Sequence, residues 1–139
     1  MKTDDFLGPP PEGQKLMGVA RVVMGLAFLY FGLSKLLAIN GIIGFVGSKL
    51  PFPTFVFWLA VVIEVGTGLL LVIGLKTKWV AAWLAFYCVF TAVVFHTNFA
   101  AMPVRDHFFS NLVMAAGFLY LLAAGPGAWA MDNARSVVD

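Results

Sequence analysis

The chain has 139 residues, 61% of them hydrophobic and only 12% charged, and its mean hydropathy is +0.93. A soluble domain carries about 25% charged residues, so this composition excludes a body covered by polar surface and predicts a single integral membrane domain. The net charge of +2, without a basic cluster, excludes nucleic acid as a partner, and the lone Cys88 excludes an internal disulfide or a Cys-x-x-Cys redox pair.

Residues 1–16, polar and Pro-rich through Pro9-Pro10-Pro11, read as an N-terminal tail. The apolar run behind them is a full span with no small-x-small cleavage pattern, so no cleavable signal peptide is expected. A span needs about 20 mostly apolar residues, and four stretches qualify: 17–39, 54–75, 79–99 and 107–124. Pro51, Pro53 and Pro103, the turn around Gly74 to Lys78, and Gly125-Pro126-Gly127 separate or end them. The runs do not alternate, and an open sheet cannot sit in lipid, so strands are excluded. The stretch 41–50 is apolar but too short to span, and is expected to lie along the interface as a short helix or re-entrant piece. The expected domain thus covers 17–125, followed by a C-terminal tail, 126–139.

Four spans put both termini and the turn at Lys76–Lys78 on one side, with Lys2, Lys15, Arg21, Lys76, Lys78 and Arg135. Lys35, Lys49 and Arg105 fall on the other, so the positive-inside rule predicts cytoplasmic termini. The predicted fold class is therefore all-α: an integral membrane four-helix bundle, both termini cytoplasmic, with a short interfacial segment between helices 1 and 2.

The most informative residue is Glu64, alone in the middle of the second apolar run. A carboxylate at the centre of a span costs roughly 2.5–3.5 kcal/mol on insertion scales, which asks for a partner or a task. Helical spacing places Arg21, Gly25, Phe28, Gly32 and Lys35 on one stripe of the first span, and Ala60, Glu64, Thr67 and Gly68 on one of the second. Ala81, Ala85, Cys88, Ala92 and His96 share a face of the third, and His107, Asn111 and Ala115 one of the fourth. Small residues let helices approach closely and polar side chains avoid lipid, so these stripes should point inward, toward one another. At 1.5 Å per residue the axial gap from Glu64 is roughly 9 Å to Lys35 and about 12 Å to Arg21. The first is easier to bridge, so Lys35 is expected to pair with Glu64, directly or through water, while Arg21 snorkels to phosphates. Tyr30 and Tyr87 lie near the Glu64 level as possible hydrogen-bond partners. A protonated Glu64 that merely ties two helices together stands beside the functional reading.

His96 and His107 fall on different helices at the same boundary, which leaves a bis-histidine haem geometry open without any further haem signature. His96, Asp106 and His107 show no recognisable metal-ligand spacing, so no metal site is predicted. Cys88 reads as a small packing residue.

The stretches Arg21-Val22-Val23-Met24-Gly25, Phe31-Gly32-Leu33-Ser34-Lys35, Glu64-Val65-Gly66-Thr67-Gly68, Gly74-Leu75-Lys76-Thr77-Lys78 and His107-Phe108-Phe109-Ser110-Asn111-Leu112 are, in order and spacing, similar to the DoxX family of small bacterial four-helix membrane proteins. The resemblance covers about residues 17 to 125. It implies a multi-pass protein of the cell (inner) membrane, linked to membrane-associated oxidoreductase complexes and quinone-reducing thiosulfate oxidation. It also places Arg21, Lys35, Glu64 and Asn111 at the family's polar positions. Without a thiol pair, thiol–disulfide exchange is beyond this subunit alone.

Three functions follow as expectations. The first is a membrane subunit of a redox system, with Glu64, Lys35 and His96 as candidate catalytic groups and Tyr30, Tyr87, His107, Asn111 and Arg21 as candidate ligand-binding ones. Quinone is the cofactor this leaves in view, since no haem, flavin or iron–sulfur ligand set is evident and electrons would need a partner. The second is a structural or assembly role on a protein partner or in a homo-oligomer. The third, permeation of a small solute, would need an oligomer because four spans are few for a transporter.

Overall fold

A computed structural model describes residues 11–135 of the chain; the first ten residues of the expected N-terminal tail and residues 136–139 of the C-terminal one lie outside it. Among the described residues the protein is helical, with no strand. Four helices are long and apolar enough to cross a membrane: α1 (Pro11–Ser34, with a 3-10 turn Lys35–Leu37), α3 (Pro53–Ile73), α4 (Thr77–Phe95) and α5 (Met102–Ala124). The short apolar stretch between the first two is a helix, α2 (Ile39–Gly47), which rests on α3. A last short helix, α6 (Met131–Arg135), follows α5.

Several span boundaries differ from the expected ones: α1 ends at Ser34, its 3-10 turn at Leu37, rather than at 39, α4 ends at Phe95 rather than 99, and two starts move for local reasons. The first helix begins at Pro11 rather than 17, with Glu12 in its first turn, where an acidic side chain suits the positive helix end. The last begins at Met102 rather than 107, with proline in the first turn, where a missing N–H is no loss. At the far end of α3, Gly74 adopts φ +70° and the Leu75 N–H returns 3.0 Å to the Leu70 carbonyl, a Schellman-type stop.

The helices pair as α1 with α3 and α4 with α5. The first pair meets backbone to backbone: a Cβ on Gly25 would lie 2.8 Å from the Gly68 carbonyl oxygen, and one on Gly32 2.7 Å from Val65. These close approaches are what the small residues on the two stripes permit. Phe28, Leu71, Leu84, Ala85, Cys88, Ala115, Phe118 and Leu121 fill the centre, where the Phe28 and Phe118 rings meet edge to face at 5.3 Å. Leu16, Val19, Val23, Leu26, Tyr30 and Leu33 line the outside of α1, the belt expected to meet lipid.

Residues 126–135, expected within a tail, fold against the bundle. The Ala128 N–H donates to the Gln14 carbonyl (2.8 Å) and the Asp132 N–H to that of Gly74 (2.9 Å), so both described termini lie at one end. Asp132 then accepts from the Lys76 and Thr77 N–H groups at 2.7 and 2.8 Å, capping α4 from outside its own chain segment.

Candidate functional site

The expected partner of Glu64 is in place. Lys35 stands where α1 tightens into its 3-10 turn, and its Nζ donates directly to Glu64 Oε2 at 2.6 Å, with no water between. The same ammonium donates to the Phe31 carbonyl at 3.3 Å, closing the last turn of α1. From the other side, the Tyr87 hydroxyl on α4 donates to Glu64 Oε1 at 2.8 Å. Each carboxyl oxygen therefore has a donor, and three helices meet on one acid. Glu64 is 5% exposed, whereas the Lys35 side chain retains 25%. A cation, a carboxyl group and a phenol are thus joined inside the apolar layer, an arrangement able to pass protons among its members.

Tyr30 does not join them. It has the right depth but the wrong face, lying two residues beyond buried Phe28 and so about 200° around the helix, and it is 68% exposed among the lipid-facing residues of α1.

Arg21 corrects a second expectation. Instead of snorkelling to phosphates it is fully buried. Its Nη1 donates to the Leu71 and Val72 carbonyls at the end of α3, the latter at 2.9 Å. Nε reaches the Pro126 carbonyl at 2.8 Å, and Nη2 those of Ala128 and Trp129 at 3.0 and 3.2 Å. A guanidinium has five N–H donors, and here each has a carbonyl acceptor. The helix end supplies carbonyls that lack their i+4 N–H donors and the negative end of its dipole, which is why a cation is stable there. With its donors used, Arg21 clasps α1, α3 and the 126–129 segment together and has none left for a ligand.

Asn111 faces inward as expected, bridging α4 and α5. The Thr91 hydroxyl lies 3.0 Å from both the Cys88 carbonyl and Asn111 Oδ1, and Asn111 Nδ2 donates to the His107 carbonyl at 2.8 Å. Thr91 was missed by sequence reasoning, although it lies one turn beyond Tyr87 on the face of Cys88 and Ala92. His96 and His107 come together, ring centroids 5.4 Å apart, but not with Glu64. His96 is nine residues beyond Tyr87, about 13 Å along the axis at 1.5 Å per residue. Burial, then the neighbouring His107, hold His96 below the ordinary imidazole range. Histidines on opposite sides of one haem iron would have centroids roughly 6.3 Å apart, so this pair is too close for that geometry. Among the described residues no three His, Cys, Asp or Glu side chains converge as a metal cluster.

Comparison with known proteins shows the family. The chain is 34% identical over 124 residues to the inner membrane protein YphA of Escherichia coli (strain K12), covering 85% of this chain and 89% of that protein. It is 33% identical over 120 residues to the inner membrane protein YqjF of the same organism, covering 83% and 88%. No solved structure matches the chain. The DoxX family model matches residues 16–97, a stretch that takes in Arg21, Lys35, Glu64, Tyr87 and His96. With a family model over more than half of the chain and two relatives aligned over most of their length, this membrane protein belongs to the DoxX family.

Proposed function

We propose that the chain is a subunit or accessory of an oxidoreductase system in the cell (inner) membrane, with a quinone-type headgroup site at Lys35, Glu64 and Tyr87. The observation that carries this reading is the donor set. An ammonium has three N–H groups, and Lys35 uses two, on Glu64 and Phe31, while a quarter of its side chain stays exposed. The third is free to donate to a carbonyl oxygen arriving from the membrane. When bound, a quinone would supply two-electron chemistry, taking up two protons on becoming a quinol. This chain's residues would orient the headgroup through Lys35 and hold or pass protons through Glu64 and Tyr87. The electrons would come from a partner, since the one cysteine is no redox pair.

The test is gentle purification followed by mass spectrometry of the lipid extract and an ultraviolet–visible spectrum. The reading expects co-purifying quinone in wild type, depleted in Lys35→Met. Quinone-free extracts together with an unchanged redox phenotype in Glu64→Gln would sink it.

A specific observation also favours an assembly role. The Arg21 clasp and the Lys35–Glu64–Tyr87 contact already tie helices together without any ligand. On that reading Glu64→Gln lowers folded yield in detergent and leaves redox behaviour untouched.

A further inference from the structure

The histidines outside the Glu64 cluster form a pair of their own. His96 closes the end of α4, and His107 stands on α5, at the end of the bundle opposite Arg21. Among the described residues neither ring nitrogen pair has a hydrogen-bond or ion-pair partner in the protein. Their planes are inclined by 42° with centroids 5.4 Å apart. For two imidazoles on one metal, with metal–nitrogen bonds of about 2.0–2.1 Å and a tetrahedral angle, the centroids fall roughly 5.2 Å apart. The observed spacing needs only a few tenths of an ångström of adjustment.

We propose that His96 and His107 form a two-imidazole site for a borderline divalent transition metal, the class that includes Cu2+, Ni2+ and Zn2+. Imidazole nitrogen selects these over Ca2+ and Mg2+, which take oxygen ligands. The tetrahedral spacing favours Zn2+, and Cu2+, with the highest intrinsic affinity for imidazole, serves as the spectroscopic probe although its tetragonal preference asks the rings to close further. The ligands sit on two closely packed helices. The Thr91–Asn111 bridge, with Asn111 holding the His107 carbonyl, fixes α4 against α5 one turn away. Such support limits the motion lost on binding. His107 is exposed and His96 half-buried, so water or an outside ligand completes the coordination sphere and the metal can exchange. The sequence pattern concealed this site because its ligands lie on two helices without a recognised spacing.

The test titrates tag-free, full-length protein in detergent with Cu2+ and records electron paramagnetic resonance spectra. A single saturating signal with hyperfine structure from two imidazole nitrogens is expected. His96→Gln and His107→Gln should each reduce the pattern to one nitrogen and weaken binding by more than about 10–100-fold, the loss that second-shell changes alone produce. Glu64→Gln should leave the signal intact, so this result and the quinone reading fail separately. A wild-type spectrum lacking the two-nitrogen pattern overturns the proposal whether or not the variants fold. So does undiminished binding in the double histidine variant.

Discussion

Arg21→Met keeps an apolar stem of similar length and removes the guanidinium from the carbonyls of Leu71, Val72, Pro126, Ala128 and Trp129. The acceptors differ in what they can do afterwards. Those of 126–129 belong to a segment that can swing out and hydrate. Those of Leu71 and Val72 end a transmembrane helix and have less freedom. The Leu71 carbonyl keeps the Gly74 N–H at 3.2 Å, so the Val72 carbonyl is the one left poorly satisfied, at a cost of about 1–3 kcal/mol. At about 2–4 °C per kcal/mol for chains of this size, the melting temperature should drop by roughly 2–12 °C. Tryptophan fluorescence melts in detergent read this, and Trp129, in the clasp, should report early. Limited trypsin digestion should meanwhile cut faster after Lys76, where Asp132 holds the Lys76 and Thr77 N–H groups in wild type. Arg21→Lys should recover only part of the loss, because three N–H donors cannot serve five acceptors. An Arg21→Met protein with wild-type melting and digestion would refute the clasp.

Other outcomes follow from the same geometry. Gly68→Ala places a Cβ 2.8 Å from backbone atoms of α1 and should destabilise by about 1–3 kcal/mol, whereas Gly66→Ala, with nothing within 4 Å, should be neutral; folded yield after heating separates the two. Lys35→Met strands the buried carboxyl and should cost about 2–4 kcal/mol once the quarter-exposed lysine is allowed for, and Glu64→Gln should relieve most of that cost in the double variant; a double-mutant cycle of melting temperatures measures the coupling. Cytoplasmic termini, which the positive-inside rule predicts, require that Lys49→Cys react with a membrane-impermeant maleimide on intact spheroplasts and that Lys78→Cys react only after lysis.

Much of this molecule is readable from its residues because the bilayer leaves few options. Four apolar runs parted by proline and glycine become four helices, and helical spacing on α1 correctly set Gly25, Phe28 and Gly32 inside. The Lys35–Glu64 contact, expected either directly or through water, followed from helical face and rise per residue together. What escaped needed knowledge of face or of distant backbone. Tyr30 shares a depth with Glu64 but not a side of the bundle. Three of the five carbonyls that satisfy Arg21 lie more than a hundred residues away in a segment without apolar periodicity, and carbonyls leave no trace in a residue pattern. His96 and His107 showed their common depth but not their proximity, which depends on how the loop after α4 leads into α5.

The proposal that Lys35, Glu64 and Tyr87 receive a quinone-type headgroup is tested most directly by photo-crosslinking. Wild-type protein in native membranes is labelled with an azido-quinone and the modified peptides are mapped by mass spectrometry. Label should fall on the turn at Lys35, on α3 around Glu64 and on α4 around Tyr87. It should be displaced by unlabelled quinone and lost in Lys35→Met. Label spread over the lipid-facing side chains, undisplaced by competitor and unchanged in that variant, would contradict the account.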